Sequence, residues 1–230
     1  MLATPEKLRF AAPGGFNDSP TFRNTVSFDQ FIEWLPEASE QRYELHRGVI
    51  IEMPKPRGKH SQVAGYTALK VGIEIERLTL PYFIPKECIV RSLDKESGYE
   101  LDVIVLDAPA LMDEPQWESG SILTLGKSIK VIVEVISTNW RDDYFTKLGE
   151  YEALEIPELW LVDYAAFGGR RYIGSPKQPT FTVGCLVDGE YELQQFRSGD
   201  SLSETLRERI LSPTFPELNL TVDQVFAAGS

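Results

Sequence analysis

One glutamate interrupts a largely apolar run of the chain. Residues 129–136 read IKVIVEVI, and the carboxylate in that run is Glu134. Because alternate residues of a strand share a face, Glu134 would lie on the same side as Ile132 and Ile136 rather than on a polar side. An ionised carboxylate there is costly unless it is paired, hydrogen-bonded or bound to a metal, or unless its pKa rises and it stays neutral. We therefore expect a compensating partner for Glu134.

A second acidic residue lies near the start of the preceding predicted strand. Residues 100–107 read ELDVIVLD, with Asp102 among leucine, valine and isoleucine. If the two strands are neighbours, the carboxylates of Asp102 and Glu134 could meet, and a divalent cation would relieve their repulsion. Oxygen ligands with water suit Mg²⁺ or Mn²⁺. The pair therefore indicates a metal site, and the alternative of two purely structural carboxylates is harder to justify energetically.

A lysine in the segment after the Glu134 strand could join the same chemistry. Asp143, Lys147 and Tyr151 are spaced four residues apart, which places them on one face of a helix. Near a metal-bound water, a lysine can orient the nucleophile or stabilise charge that grows on a phosphate. The alternative for Asp143 and Lys147 is an ordinary surface ion pair.

Two further features offer polar groups to such a site. Glu44, in RYELHRG, lies on an early predicted strand, where the alternative is an exposed strand residue. Residues 53–62 read MPKPRGKHSQ and cluster Lys55, Arg57, Lys59 and His60. This cluster is either a local phosphate-binding patch or a solvated loop.

The elements that position these residues follow from capping boxes and apolar periodicity. Ser27 with Gln30, and Thr221 with Gln224, predict the starts of two helices. Asp188-Gly189 predicts a hairpin turn. The remaining elements are a strand, a turn at Gly48 and a strand over 42–53, a helix over 61–78, strands over 87–93, 100–107 and 129–136, a helix over 142–154 and a strand over 158–164.

Strand, helix and strand between residues 129 and 163 predict a right-handed βαβ unit with parallel strands. The fold class is therefore α/β, with a central mixed sheet flanked by helices and additional β-hairpins. We divide the chain into an N-terminal arm (1–24), a single domain (25–226) and a C-terminal tail (227–230).

Composition excludes several classes of protein. A net charge of −12 and a pI near 4.7 argue against a general nucleic-acid coat, since phosphate binding depends on clustered Lys and Arg. No apolar stretch approaches the ~18 residues of a membrane span, and the N-terminus lacks a secretory-signal pattern. Cys88 and Cys185, expected to be buried thiols, fit a reducing cytoplasm.

Three motifs together resemble a known family. YELHRG at 43–48, EVIST at 134–138 and DDYFTKLGEYEALEIPELWLVD at 142–163 are similar to the Uma-two (Uma2) family of bacterial proteins classed with restriction endonucleases, formerly a domain of unknown function, within the PD-(D/E)xK nuclease superfamily. The resemblance covers roughly residues 25–226. It implies a restriction-endonuclease-like core.

The resemblance also implies roles for particular residues. Asp102 and Glu134 would hold Mg²⁺ (or Mn²⁺) with help from the Val135 carbonyl, and Glu44 would supply another acid. His60 matches the family as well, and would contact phosphate or cap its helix.

The sequence departs from the superfamily pattern at two positions. Leu101 stands where a proline precedes the first acid, and Ile136 stands where a lysine follows the glutamate by two residues. The matching lysine is Lys147 on the following helix. Tyr151 and Trp160 match recurrent aromatic positions, and we assign both to packing.

These expectations combine into a divalent-metal-dependent endonuclease that hydrolyses DNA phosphodiester bonds with a metal-bound water as nucleophile. Its predicted catalytic residues are Asp102, Glu134, Lys147 and Glu44, and its predicted phosphate contacts are His60, Lys59 and Arg57. The alternative, favoured by the acidic pI and by Ile136, is a catalytically inactive nuclease-fold binding or regulatory module. Cutting both strands takes two active sites, so a homodimer is also expected.

Overall fold

Two mixed β-sheets flanked by helices make up the part of the protein that the computed structural model describes, which is residues 25–36, 41–198 and 209–229. The α/β class predicted from the sequence is confirmed. The predicted N-terminal arm, residues 1–24, lies outside the described residues. In the described part, no helix combines the length and apolar character needed to cross a membrane.

Eleven strands are present in the described residues. In chain order they are β1 (Arg42–His46), β2 (Val49–Met53), β3 (Tyr82–Phe83), β4 (Ile89–Arg91), β5 (Gly98–Glu100), β6 (Val103–Asp107), β7 (Ile122–Leu123), β8 (Ile129–Val135), β9 (Glu158–Asp163), β10 (Thr180–Val187) and β11 (Glu190–Phe196). One sheet has the order β2-β1-β5-β4-β7, and the other has the order β11-β10-β9-β8-β6-β3.

Helical segments connect the strands and cover the sheets. The α-helices of the described residues are α1 (Phe28–Trp34), α2 (Gly58–Arg77), α3 (Trp117–Gly120), α4 (Leu148–Ala153), α5 (Arg170–Ile173) and α6 (Val222–Ala227). Two short 3₁₀ segments span Ala110–Asp113 and Gly126–Ser128, and a π-helix spans Asp142–Lys147.

Both predicted capping boxes are present. At α1 the Ser27 hydroxyl accepts a hydrogen bond from the Gln30 amide, and the Gln30 side chain accepts one from the Ser27 amide. Thr221 and Gln224 form the same reciprocal pair at α6. Each box satisfies two amides that the helix itself leaves without partners, which explains why these helices begin where the sequence predicts.

The predicted hairpin and the parallel strand pairing of the predicted βαβ unit are also confirmed. Strands β10 and β11 pair antiparallel across Asp188-Gly189, whose φ angles of +50° and +88° suit a two-residue turn that matches the strand twist. Strands β8 and β9 pair in parallel, and β6 lies antiparallel on the other side of β8. The Glu134 strand is therefore central, with the Asp102 strand as its neighbour.

The two faces of β8 enter different apolar cores. The side chains of Val131, Val133 and Val135 pack in a core that includes residues of α2 and α6. Ile132 and Ile136 pack in the core on the opposite face. The predicted alternation is confirmed, and it directs the intervening Glu134 toward the second core.

The structure differs from the predictions in three respects. The strands before α2 join β4, β5 and β7 in a second sheet, because β1 pairs with β5, which pairs with β4. Helix α2 begins at Gly58 and so takes up part of the basic cluster expected in a loop. Cys88 is buried as predicted, but Cys185 is only half-buried; both are free thiols.

Candidate active site

Glu134 is buried near the middle of the six-stranded sheet, with 3% of its surface exposed. Its Oε1 atom accepts a hydrogen bond of 2.7 Å from the Tyr151 hydroxyl and one of 3.1 Å from the Lys147 ammonium. The compensating partner expected from the sequence therefore exists, and it consists of two side chains from the helical segment after β8.

The Lys147 ammonium lies among three carboxylates. Its Nζ is 3.1 Å from Glu134 Oε1, 3.5 Å from Glu44 Oε1 and 3.6 Å from Asp143 Oδ1. Each of these side chains is at most 6% exposed. The same ammonium lies 5.2 Å from the centre of the Tyr99 ring. One buried ammonium thus faces three acidic groups. We call Lys147, Glu44, Glu134 and Asp143 the buried cluster.

A change in helix type positions the lysine. The sequence predicts one α-helix over 142–154, but its first part, Asp142–Lys147, is a π-helix that passes into α4 at Leu148. Asp143 and Lys147 still meet across one turn, and Tyr151 follows on α4. Short π-helical segments occur frequently at functional sites, where they change the direction of side chains.

Glu44 reaches the cluster from the other sheet. It lies on β1 of the five-stranded sheet, and only 1% of its surface is exposed, so the alternative of an exposed strand residue is wrong. Its second oxygen, Oε2, is 2.7 Å from Nε2 of His46. The cluster therefore forms where the two sheets face each other, with Glu44 from one and Glu134 from the other.

Asp102 lies one residue before β6, next to the Glu134 strand. Its Oδ2 accepts a hydrogen bond of 2.8 Å from the amide of Val135 and is 3.3 Å from Nε2 of His60. His60 does not cap α2: the N-cap residue is Arg57, and His60 points to Asp102 instead. The Nδ1 atom of His60 is buried and has no hydrogen-bond partner among the described residues.

Burial shapes the ionisation of the cluster. It raises the pKa of Glu134, and the nearby Asp102 charge raises that pKa further, against the lowering effect of Lys147. Burial also raises the pKa of Asp143 well above its usual value. Burial alone would lower the pKa of Lys147, but Glu134, Glu44 and Asp143 outweigh it and raise the pKa well above that of a free lysine. Lys147 is therefore a permanent cation at neutral pH.

Glu44 behaves in the opposite way. Burial would raise its pKa, but the charge of Lys147 and the hydrogen bond to His46 outweigh burial and lower the pKa below the usual value. The cluster thus holds one carboxylate that stays ionised together with others that retain protons more readily. Neighbouring acids whose pKa values are driven apart are typical of sites that perform acid–base chemistry.

The carboxylates of Asp102 and Glu134 offer the oxygen donors that a hard divalent cation prefers. Among the described residues, hydrogen bonds engage Oδ2 of Asp102 and Oε1 of Glu134, which leaves the second oxygen of each carboxylate as a candidate ligand. Within the described ranges, no three His, Cys, Asp or Glu side chains lie close enough to hold a metal ion between them. Mg²⁺ does not need three, because it commonly binds through one or two carboxylates and keeps several waters.

The remaining predicted residues lie outside the buried cluster. Arg57 and Lys59 are exposed at the start of α2, and they line a surface cleft there. Trp160 is fully buried in the core, and its indole donates to Glu158, so its assignment to packing is confirmed.

Sequence reasoning missed two contributions to the cluster. It assigned Tyr151 to packing alone, whereas the structure adds a direct hydrogen bond from the hydroxyl to Glu134. It did not include Asp143 among the site residues, although Asp143 is buried against Lys147. The four-residue spacing of Asp143, Lys147 and Tyr151 contained the signal for both, since it places all three on the side that faces Glu134.

A solved structure shares this fold. It is described as "a putative nuclease belonging to DUF820" from Anabaena variabilis ATCC 29413, and it superposes with a TM-score of 0.65 at 18% identity, over 89% of this chain and 99% of that chain. The two chains thus share one α/β fold. The family model Uma2, described as "Putative restriction endonuclease", matches residues 28–223. The chain therefore belongs to the Uma2 family. No curated protein matches the chain significantly.

Proposed function

We propose that this protein is a divalent-metal-dependent endonuclease that hydrolyses DNA phosphodiester bonds. One observation carries the proposal: three buried carboxylates surround the single ammonium of Lys147, in a chain that belongs to a family classed with restriction endonucleases. A stable core gains little from such a concentration of acidic groups, because each buried carboxylate that is ionised costs several kcal/mol in desolvation, to order of magnitude. A cation that binds with the substrate would offset that cost.

Asp102, Glu134 and the carbonyl of Val135 are the groups that would hold Mg²⁺ or Mn²⁺. The ion would supply Lewis acidity, neutralising charge on the phosphate and acidifying the attacking water. The hydrogen bond from the Val135 amide to Asp102 ties two of these three residues together, so a shift of one ligand would move the other.

The side chains around this position have separate tasks. Lys147, charged at neutral pH, would stabilise the negative charge that develops on the phosphate as the bond breaks. The hydroxyl of Tyr151 fixes the orientation of Glu134 through its 2.7 Å hydrogen bond. Glu44 holds Lys147 from the opposite sheet, and it stays ionised because its pKa is lowered.

Cleavage of DNA by the purified protein tests the proposal. We expect Mn²⁺ or Mg²⁺ to be required for nicking or cutting of plasmid and oligonucleotide substrates, and EDTA to abolish it. Glu134→Gln should lower the rate at least about a thousandfold, since it removes a charged group from a set that acts as a unit. The matched control is Glu76→Gln, an exposed glutamate on α2, which should leave the rate unchanged.

Cleavage that survives Glu134→Gln would contradict the proposal and identify a contaminating nuclease. A melting curve for each variant shows whether a lost rate reflects chemistry or unfolding. Isothermal titration with Mn²⁺ gives an independent result: the wild type should bind the ion, and the variant should bind it much more weakly.

A catalytically inactive binding module is the second candidate, and one observation favours it. Lys147 lies within hydrogen-bond distance of Glu134, so an internal cation already compensates part of the charge that a metal would neutralise. Ile136 also leaves no lysine at the position two residues after the glutamate. This candidate predicts nucleic-acid binding without metal-dependent cleavage and without Mn²⁺ binding.

A further inference from the structure

A cleft of about 670 Å³ opens where the first turn of α2 faces the loop that follows β9. It is separate from the buried cluster, although Lys59 of its wall is adjacent in sequence to His60, which contacts Asp102. Its lining includes Arg57, Lys59, Gln62, Tyr164, Phe167 and Gly229. A cavity of this volume is large enough for a small organic ligand.

The walls of the cleft differ in chemistry. The α2 side presents the cations Arg57 and Lys59, and the β9 side presents the aromatic rings of Tyr164 and Phe167. These two rings lie edge to face, with centroids 6.3 Å apart. Cationic side chains bind phosphate, and aromatic rings stack on nucleobases of any sequence, so the combination is typical of grooves that bind single-stranded nucleic acid.

The aromatic wall is held in place before any ligand binds. Asp163 at the end of β9 accepts hydrogen bonds from the amides of Phe167 (2.8 Å) and Gly168 (2.7 Å), and these fix the loop. Lys177 donates to the Phe167 carbonyl at 3.0 Å. Gly229 lies so close to Tyr164 that an added Cβ atom would come within 2.7 Å of the ring. A platform fixed in this way loses little entropy when a base stacks on it.

The first turn of α2 links the cleft to Asp102. Arg57 is the N-cap residue of α2, and His60, in the first turn of the same helix, contacts Asp102. A strand whose phosphate lay at Asp102 and Glu134 would therefore place a neighbouring nucleotide at the start of α2. A paired base presents only its edge in a duplex, whereas an unpaired base can turn its face to an aromatic ring.

We propose that the cleft binds an unpaired nucleotide next to the cleaved phosphate, with Arg57 and Lys59 on the phosphates and Tyr164 and Phe167 on the base. The inference rests on the proposed nuclease function and specifies its substrate class as single-stranded or locally unpaired DNA. It also explains how an acidic protein binds a polyanion, because the positive charge is concentrated at one opening.

Fluorescence anisotropy tests the proposal without any cleavage. A labelled twelve-nucleotide thymidine strand and a twelve-base-pair duplex are titrated with the full chain at low salt in EDTA. We expect the single strand to bind about tenfold more tightly than the duplex. Phe167→Ala and Tyr164→Ala should each weaken single-strand binding about tenfold, the loss of one stacking contact, while Tyr164→Phe should retain it.

Matched controls separate the cleft from general surface effects. Phe145→Ala removes an aromatic ring that is 66% exposed elsewhere, and Lys86→Ala removes an exposed cation; both should bind as the wild type does. Arg57→Ala should make the slope of log binding constant against log salt concentration shallower by about one, the equivalent of one lost phosphate contact. Because Tyr164→Phe and Arg57→Ala remove no buried apolar group, they stay informative if an alanine variant of an aromatic residue fails to fold.

Two results would overturn the inference: duplex that binds as tightly as the single strand, or single-strand binding unchanged in both Phe167→Ala and Arg57→Ala. Binding in EDTA does not depend on catalysis, so the two proposals can fail separately. Single-strand binding that the variants weaken, without cleavage in Mn²⁺, would support the cleft and reject the nuclease. Metal-dependent cleavage by the wild type, with single-strand binding unchanged in the cleft variants, would support the nuclease and reject the cleft.

Discussion

Two adjacent strands of the six-stranded sheet each bury a glutamate, and the two glutamates have different surroundings. Glu158 on β9 accepts a hydrogen bond at each oxygen, 2.6 Å from the Trp160 indole at Oε1 and 2.9 Å from the Thr214 amide at Oε2. Glu134 on β8 instead shares one ammonium, that of Lys147, with other carboxylates. Both glutamates are almost fully buried, so burial alone does not separate a structural acid from a functional one.

The difference lies in what surrounds each carboxylate. Neutral N–H groups donate to both oxygens of Glu158. Glu114 is also bound by neutral donors, since it accepts from the amide and hydroxyl of Thr124 and from the amide of Leu125. Around Glu134, acids outnumber cations. Local hydrogen bonding explains the first arrangement, whereas the second is of the kind that the proposed nuclease function would use.

The largest effect on stability should come from the structural glutamate. Glu158→Ala leaves the Trp160 indole and the Thr214 amide buried without acceptors, which should cost about 2–4 kcal/mol of unfolding free energy. Glu134→Gln should cost much less, because it removes one of several crowded negative charges. Urea denaturation of both variants measures the contrast. Equal destabilisation by the two substitutions would break the comparison.

A smaller effect is expected from Tyr151→Phe, which removes only the hydroxyl that donates to Glu134. That hydrogen bond lowers the pKa of Glu134, so its loss should raise the pKa and move the rising limb of the pH–rate profile to higher pH. Cleavage near neutral pH should fall about tenfold, the equivalent of one hydrogen bond to a charged group. Rate profiles with Mn²⁺ test this. A uniform loss at every pH would indicate a packing role alone.

The smallest effect concerns stability and pH in the absence of divalent cations. The folded-state pKa values of Glu134 and Asp143 are raised, mainly by burial, so the folded protein binds more protons than the unfolded chain above the ordinary carboxyl pKa of ~4. This contribution is complete below that value and is lost as pH rises through the raised pKa values. The melting temperature should fall by roughly 2–4 °C between about pH 5 and pH 8.

Other groups near the cluster titrate differently. The raised pKa of His60 acts in the same direction, whereas the lowered pKa of Glu44 costs stability only when pH falls to the acid side. Comparison of the wild type with Glu134→Gln isolates the contribution of the glutamate. The slope of melting temperature against pH should be shallower in the variant. Identical slopes in calorimetric scans would show that Glu134 is not the group that takes up the proton.

Much of the fold follows from local signals in the sequence. The capping boxes at Ser27 and Thr221 and the turn at Asp188-Gly189 are short-range arrangements that a few residues determine, and all three are confirmed. The alternation around Glu134 identified the central strand for the same reason. Registers and partners of short strands such as β4 depend on distant parts of the chain, and the sequence analysis made no prediction of them.

The acids of the candidate site are conspicuous in the sequence, whereas their contacts are not. Asp102 and Glu134 stand out because carboxylates in apolar strands are costly. The burial of Glu44 could not be foreseen from the sequence. The residue pattern of β1 is that of an ordinary strand, and the burial of Glu44 depends on packing against distant parts of the chain. The hydroxyl of Tyr151 was missed because an aromatic residue at helical spacing usually packs.

The position of the acidic cluster between two sheets has a consequence for biosynthesis. Glu44 is made early and Glu134 much later, and Lys147 bonds to both only after the sheets have docked. A partly folded chain emerging from the ribosome therefore holds the acids of the centre apart. The full set of groups around Lys147 therefore exists only in a chain whose two sheets have both formed.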